Sequence, residues 1–310
     1  MDPQQLRALR ELRDRGSIAQ VAVAFRVTPS AVSQQLAALQ RRAGVALTRI
    51  DGRRTVLTDA GHALADAAVG VEIAMAQAQD AVDRFHATEA ATVSVSALSS
   101  VAQTFFPALL SARLPSDPVL SFTDRDVAHH RYAALTADID LVIAHRLPGA
   151  DRWPSGIQVI PLLDEPLDLT FRRGHDLDRA APASIDELAD VEWINVHEDY
   201  PLAGSVSLLG ALSGREPRVR HQVNDYAVTA ALLGASDAVA LLPRHTGRCY
   251  LGAGLVQRPI AHDAAPRRSI DVLARPEALR RRGVRAVLDA IRAHAALIAG
   301  ADEAESTPRA

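Results

Sequence analysis

The stretch "VTPSAVSQQ", Val27–Gln35, has helix-start chemistry at one end and hydroxyls and amides where a helix would face water. Thr28 is a strong N-cap, because its side-chain oxygen can accept an orphan backbone N–H, and Pro29 suits the first helical position. Val32, Leu36 and Leu39 follow at i, i+4 and i+7, the spacing that buries one stripe. Ser30, Ser33, Gln34 and Arg41 then point outward, while Gln35 lies nearly opposite Ser33. Upstream, "PQQLRALRELRDRG" carries Leu6, Leu9 and Leu12 at helical spacing between Pro3 and Gly16. Ser17 can cap a short second helix, "IAQVAVAF", which breaks at Phe25-Arg26-Val27. Two helices across so short a break form a helix-turn-helix, whose second helix enters the major groove. There glutamine pairs with adenine, serine takes a base edge or a phosphate, and the helix N-terminus favours phosphate.

The next segment, "VALTRIDGRRTVLTDAG" (45–61), reads as two β-prone runs around Asp51-Gly52, a hairpin signal, with Arg49, Arg53 and Arg54 at or near the tip. Arginines on such a wing reach the phosphate backbone or the minor groove. The candidate DNA contacts are therefore Arg26, Thr28, Pro29, Ser30, Ser33, Gln34, Arg41, Arg49, Arg53 and Arg54.

Charge agrees. Residues 1–58 carry ten Arg against four acids, a net of +6, and the remaining 252 residues carry 24 Arg against 33 acids, a net of −9. A basic head on an acidic body is the footprint of nucleic-acid binding. All 34 Lys+Arg residues are arginine. Without lysine there is no Walker phosphate loop, no pyridoxal phosphate Schiff base and no Ser-x-x-Lys hydrolase. A single cysteine, Cys249, excludes an intrachain disulfide and reads as a small core residue. No window holds 18 uninterrupted apolar residues and the start is too charged for a signal peptide, so a cytoplasmic protein without a membrane partner is expected.

After the wing, Leu64, Ala68, Val71, Met75, Ala78, Val82 and Phe85 are spaced 4, 3, 4, 3, 4, 3, an a/d seam on a helix capped by Thr58 and running over about 59–87. From residue 91 the pattern changes to strands alternating with helices. "TVSVSA" (92–97), "PVLSF" (118–122), "IDLVIA" (139–144), "IQVIPLL" (157–163), "LDLTF" (167–171), "EWINV" (192–196), "RVRHQV" (218–223), "AVALLP" (238–243) and "SIDVLA" (269–274) read as strands. Helical patterns occupy 101–114, 225–235 and 277–300, giving an α/β body, and the tail "ADEAESTPRA" (301–310) reads as disordered.

The head resembles that of the LysR-type transcriptional regulators. The likeness runs without gaps over about sixty residues: Gly16-Ser17 opening the second helix, "AQVAVAFRVTPSAVSQQLAALQ", Gly44-Val45-x-Leu47, the arginine-bearing wing and "LTDAG" at Leu57–Gly61. Thr48 stands where the family usually has an aromatic, and Gln40 where a glutamate usually closes the recognition helix, which predicts looser packing near the wing. The resemblance implies a winged helix-turn-helix domain (1–58), a linker helix that dimerises the chain (59–87) and a two-lobed α/β domain like a type 2 periplasmic binding protein (88–300). Lobe one would hold about 91–163 and 266–300, lobe two about 164–265. It also implies operator DNA, a small-molecule effector and a second copy of the chain, in dimers and tetramers, as partners.

Ligands of such α/β folds lie at the carboxyl ends of strands, where helix N-termini offer N–H groups to an anion. That places Ser99 and Ser100 first, then Asn195 with His197, then Thr123 and His145, as candidate effector contacts. No GxGxxG, GxSxG or HExxH occurs, and His129-His130 would point to different helix faces, so neither a catalytic site, a metal nor a cofactor is assigned. The competing readings are an architectural DNA binder without an effector, which leaves an acidic body of some 200 residues without a role, and an α/β enzyme. A Ser-His-Asp triad is a matter of geometry, which composition does not decide.

Overall fold

The structure, a computed structural model, describes residues 1–83, 92–114, 117–200 and 202–306. The head contains α1 (Pro3–Arg15), α2 (Ile18–Phe25), α3 (Pro29–Ala43) and a hairpin of β1 (Thr48–Asp51) and β2 (Arg54–Leu57). Each helix starts as its sequence dictates: Asp2, Ser17 and Thr28 accept the N–H groups of Gln4, Gln20 and Ala31. Arg26 closes α2 in the left-handed region at φ 54°, the one such non-glycine residue among those described. Leu6, Leu9, Leu12, Val21, Val32, Leu36 and Leu39 form the core. The hairpin pairs Asp51 with Arg54, so its two-residue loop is Gly52-Arg53, with Gly52 at φ 60°.

Two features join the wing to α4 (Asp59–Asp83). Thr58 Oγ1 donates to Ala46 O (2.7 Å) and accepts the Gly61 N–H (3.1 Å). A Cβ on Gly61 would stand 2.0 Å from the Leu47 carbonyl oxygen, so "LTDAG" ends in glycine because backbone passes there. The structure also corrects the expected loosening: Gln40 Oε1 accepts the N–H groups of Leu47 (2.9 Å) and Thr48 (3.4 Å). An amide oxygen fills the acceptor role expected of a glutamate, and the wing is tethered.

In the body, β3 (Thr92–Ala97), β4 (Val119–Asp124) and β5 (Leu141–Arg146) run parallel, with α5 (Ser99–Ser111) and α6 (His129–Leu135) as crossovers. The two strands expected at 157–163 and 167–171 are one, β6 (Gln158–Arg172). No turn residue between them breaks the ladder, because Pro166 sits where the strand changes partner. Up to Pro166, β6 pairs with β11 (Arg267–Ala274); from Leu167 it pairs with β9 (Ala240–Pro243) and β10 (Leu255–Arg258). The expected crossover near 163–164 thus falls inside one continuous strand. The second lobe adds β7 (Glu192–Asn195), α7 (Gly204–Ser213), β8 (Arg218–Gln222) and α8 (Tyr226–Gly234). α9 (Arg282–Ser306) closes the first lobe and carries helix six residues into the expected disordered tail, since nothing before Pro308 stops it.

The linker seam divides. Leu64, Ala68 and Val71 pack on the head's own core beside α1 rather than standing free for a partner, because α4 returns across α1 before it leaves the domain. Beyond that point Met75 (57% exposed), Ala78 and Val82 (51% exposed) face outward. Phe85 lies outside the described residues.

α1 also docks on the body. Arg275, one residue past β11, bonds Glu11 and Asp14 (2.7 Å). Arg15 bonds Glu11 (2.6 Å) and Asp138 (2.6 Å), and Arg10 bonds Glu72 and Glu277 (2.7 Å). Burial opposes the charge on Glu11, but hydrogen bonds and the charges of Arg275 and Arg15 outweigh it and hold its carboxyl below the ordinary value. Part of the head's positive charge thus serves this docking rather than DNA.

Candidate functional site

Of the candidate DNA contacts, Arg26, Thr28, Pro29, Ser30, Ser33 and Gln34 are exposed on or beside the start of α3, Arg41 is exposed in its last turn, and Arg49, Arg53 and Arg54 are exposed on the wing. All ten candidates are thus solvent-exposed, and α3 buries only Val32, Leu36 and Leu39. Four are partly committed, Thr28 and Ser30 through a 3.2 Å bond between their hydroxyls. Ser33 Oγ donates to Pro29 O (3.0 Å), leaving its lone pairs for a partner, and Arg49 lies 3.6 Å from Asp51. Arg42, not singled out before, is exposed beside Arg41. Gln35 is half-buried and its Oε1 has no partner among the described residues, so it belongs to the inner face.

Between the two lobes of the body lies a cavity of about 910 Å3. Lobe one contributes the start of α5, the end of β4 and the start of α6; lobe two contributes the loop after β7 and the start of α8. Ser99 and Ser100 line it as expected. The four other candidates do not. Thr123 points to the opposite face of β4 from Phe122 and Asp124, which line the cavity, because strand side chains alternate. Asn195 and His197 lie just short of the turn that reaches it: Asn195 bonds Ala203 O (3.2 Å), the His197 N–H bonds Asn224 Oδ1 (2.8 Å), and Asp199 and Tyr200 form the wall instead.

His145 is fully buried behind the wall, since β5 is a central strand covered on both faces. Its Nδ1 is 3.5 Å from Arg268 Nη1 and its Nε2 has no partner among the described residues. A guanidinium only donates, so Nδ1 is the acceptor and the proton sits on Nε2. Burial first, and then the charge of Arg268, push its pKa well below the ordinary histidine value.

Arg268 itself pairs with Glu165 at 2.8 Å, both side chains inaccessible to solvent. Glu165 Oε1 accepts the N–H groups of His245 (2.9 Å) and Thr246 (2.7 Å), and Arg268 Nη2 donates to Ser100 Oγ (3.0 Å) and Thr246 Oγ1 (2.5 Å). This pair joins β6, β11, the α5 N-terminus and lobe two at the point where the lobes meet. Two further bonds cross the mouth: Tyr200 OH to Asp126, and Gln103 Nε2 to Tyr250 OH (2.7 Å). Burial raises the pKa of Asp126 against the opposing hydrogen bonds of Tyr200 and Tyr132. Cys249 is exposed at this rim, its Sγ 3.4 Å from Gln103 Oε1, and is not the core residue expected. The lining carboxylates and tyrosines carry no motif; only the ends of the strands pointed toward them.

Among the described residues there is no cluster suited to a metal, and no helix long and apolar enough to cross a membrane. The model of the "Bacterial regulatory helix-turn-helix protein, lysR family" matches residues 3–62, and that of the "LysR substrate binding domain" matches 86–296. An uncharacterized HTH-type transcriptional regulator, YybE of Bacillus subtilis, is 22% identical over 247 residues, 78% of this chain and 82% of that one. Among solved structures, full-length OxyR C199D from Pseudomonas aeruginosa matches with a TM-score of 0.62 at 18% identity, over 94% of this chain and 95% of that one. ArgP from Mycobacterium tuberculosis matches with a TM-score of 0.61 at 20% identity, over 95% and 97%. Full-length CbnR complexed with its target DNA matches with a TM-score of 0.53 at 22% identity, over 95% and 100%. With winged helix, linker helix and two-lobed body all in place, the chain belongs to the LysR family: it is a DNA-binding transcriptional regulator under effector control, not an enzyme.

Proposed function

We propose that α3 and the wing read operator DNA, that the effector occupies the cavity between the lobes, and that β11 carries the signal from one to the other. The observation that carries this is the pair of anchors on β11. Near its start Arg268 bonds Ser100 in the cavity wall; just past its end Arg275 bonds Glu11 and Asp14 on α1. A ligand that draws the lobes together acts on the first anchor, and β11, with neighbours on both sides, is stiff enough to move the second. The ligand must bind one arrangement more tightly than the other, since differential affinity alone shifts an equilibrium.

The exposed half of the linker seam, Met75, Ala78 and Val82, is the proposed dimer contact, extending toward Phe85. A dimer places two recognition helices on two half-sites, and a change at the α1 docking alters their spacing and the bend of the DNA. The protein works where its DNA is, in the cytoplasm. The reading is tested by titrating small metabolites against the full chain: a ligand that raises the melting temperature and also changes operator affinity supports it, while ligands that raise it without any change in DNA binding count against it.

A further inference from the structure

We infer that the effector is a small organic cation bearing an ammonium or guanidinium group. This rests on the cavity being the effector site. Four carboxylates line it, Asp124, Asp126, Asp199 and Asp225, against one guanidinium, Arg131. Arg268, behind the wall, is already paired with Glu165.

The backbone does not reverse this balance. At the start of α8, where an anionic ligand would sit, Asp225 already accepts the N–H groups of Ala227 (2.7 Å) and Val228 (3.2 Å). The start of α5 has no side-chain cap, but a helix end supplies only about half a unit of positive charge, less than Asp124 and Asp199, which cap no helix, carry between them.

A second, independent feature is Tyr226. It lines the cavity, is only 7% exposed, and its hydroxyl has no partner among the described residues. That oxygen is itself closed to solvent, so what Tyr226 offers a ligand is its ring, edge-on to Tyr250 at 5.8 Å. Aromatic surface completes the lining. Phe106 and Phe122 stack at 4.2 Å on the lobe-one wall, and Tyr200 and Tyr250 stand on the other, faces suited to a cation and its alkyl stem.

The test uses the full-length protein and three probes of similar length: 1,5-diaminopentane, agmatine and glutarate, followed by calorimetry and melting temperature. The amines should bind and glutarate should not. Asp124→Asn, at a side chain with no bond to lose among the described residues, should weaken amine binding about tenfold while leaving the fold's melting temperature within a few degrees. Glutarate binding in preference to the amines overturns the cationic effector but keeps the cavity as a sensor, as does amine binding that Asp124→Asn leaves unchanged. Silence from all three probes removes both the cation and the sensor.

Discussion

Arg268 and Arg275 lie seven residues apart along β11 and its end, the first bonded to Ser100 at the cavity and the second to Glu11 at the DNA-binding domain. At about 3.3 Å per residue the two anchors are roughly 23 Å apart. Neither interaction is a surface ion pair: Arg268 is completely buried and Glu11 nearly so. Removing one partner of such a pair leaves an uncompensated charge inside the protein, which costs far more than an exposed bridge is worth.

Glu165→Gln should therefore destabilise the body by about 3–5 kcal/mol, because it strands the Arg268 guanidinium and weakens the acceptor that holds Thr246. Denaturant unfolding of the full chain measures this. A loss under about 1 kcal/mol would show that Arg268 finds another partner.

Gln34→Ala should relax preference at one base position by about 1–3 kcal/mol, since an amide at this site reads a base edge. Arg53→Ala should weaken binding to all sequences alike and reduce the salt slope by about one. Both are read from titrations of operator and random DNA at several salt concentrations, and unchanged affinity in both would refute the winged-helix interface.

Gln40→Ala should cost about 1–3 kcal/mol of stability, because it strips the acceptor from the Leu47 N–H, and it should loosen the wing's grip on DNA. Gln40→Glu keeps an acceptor in place and should retain both properties. Equal losses in the two variants would mean that packing, not the hydrogen bond, holds the wing.

Buried His145 makes stability depend on pH in a defined sense. Its folded pKa lies well below the ordinary value near 6.5, so the unfolded chain takes up the proton first. Its contribution is complete above pH ~6.5 and is lost as pH falls below that, at up to about 1.4 kcal/mol per pH unit. The difference between wild type and His145→Gln in urea midpoints from pH 8 to 5.5 isolates it. A difference independent of pH would show that the imidazole titrates in the native state as it does in the unfolded chain.

The head was legible almost residue by residue, because caps, a glycine stop and a buried stripe are local signals, and Thr28, Gly44 and Val32 each act on neighbours within four residues. The cavity was not. Thr123 and Asp124 differ only in which face of β4 they take, and one residue of parity separates a wall from its back. The burial of His145 is written in its neighbours: the run from Leu141 to Ala144 is apolar throughout, the mark of a strand covered on both sides. Asp199 and Tyr200 depend on how the loop after β7 turns, and Arg275 on how α1 meets a strand some 260 residues away. Distances of that kind are set by the tertiary fold and leave no periodic trace.

The most direct measurement is footprinting of the full-length protein on DNA upstream of neighbouring genes, with and without a ligand that raises its melting temperature, in wild type and in Arg275→Gln. Coupling through β11 predicts that the ligand changes the extent of protection or the pattern of bend-induced cleavage in wild type, and that Arg275→Gln binds both ligand and DNA but shows one fixed footprint. A ligand-dependent footprint that survives intact in Arg275→Gln would contradict it.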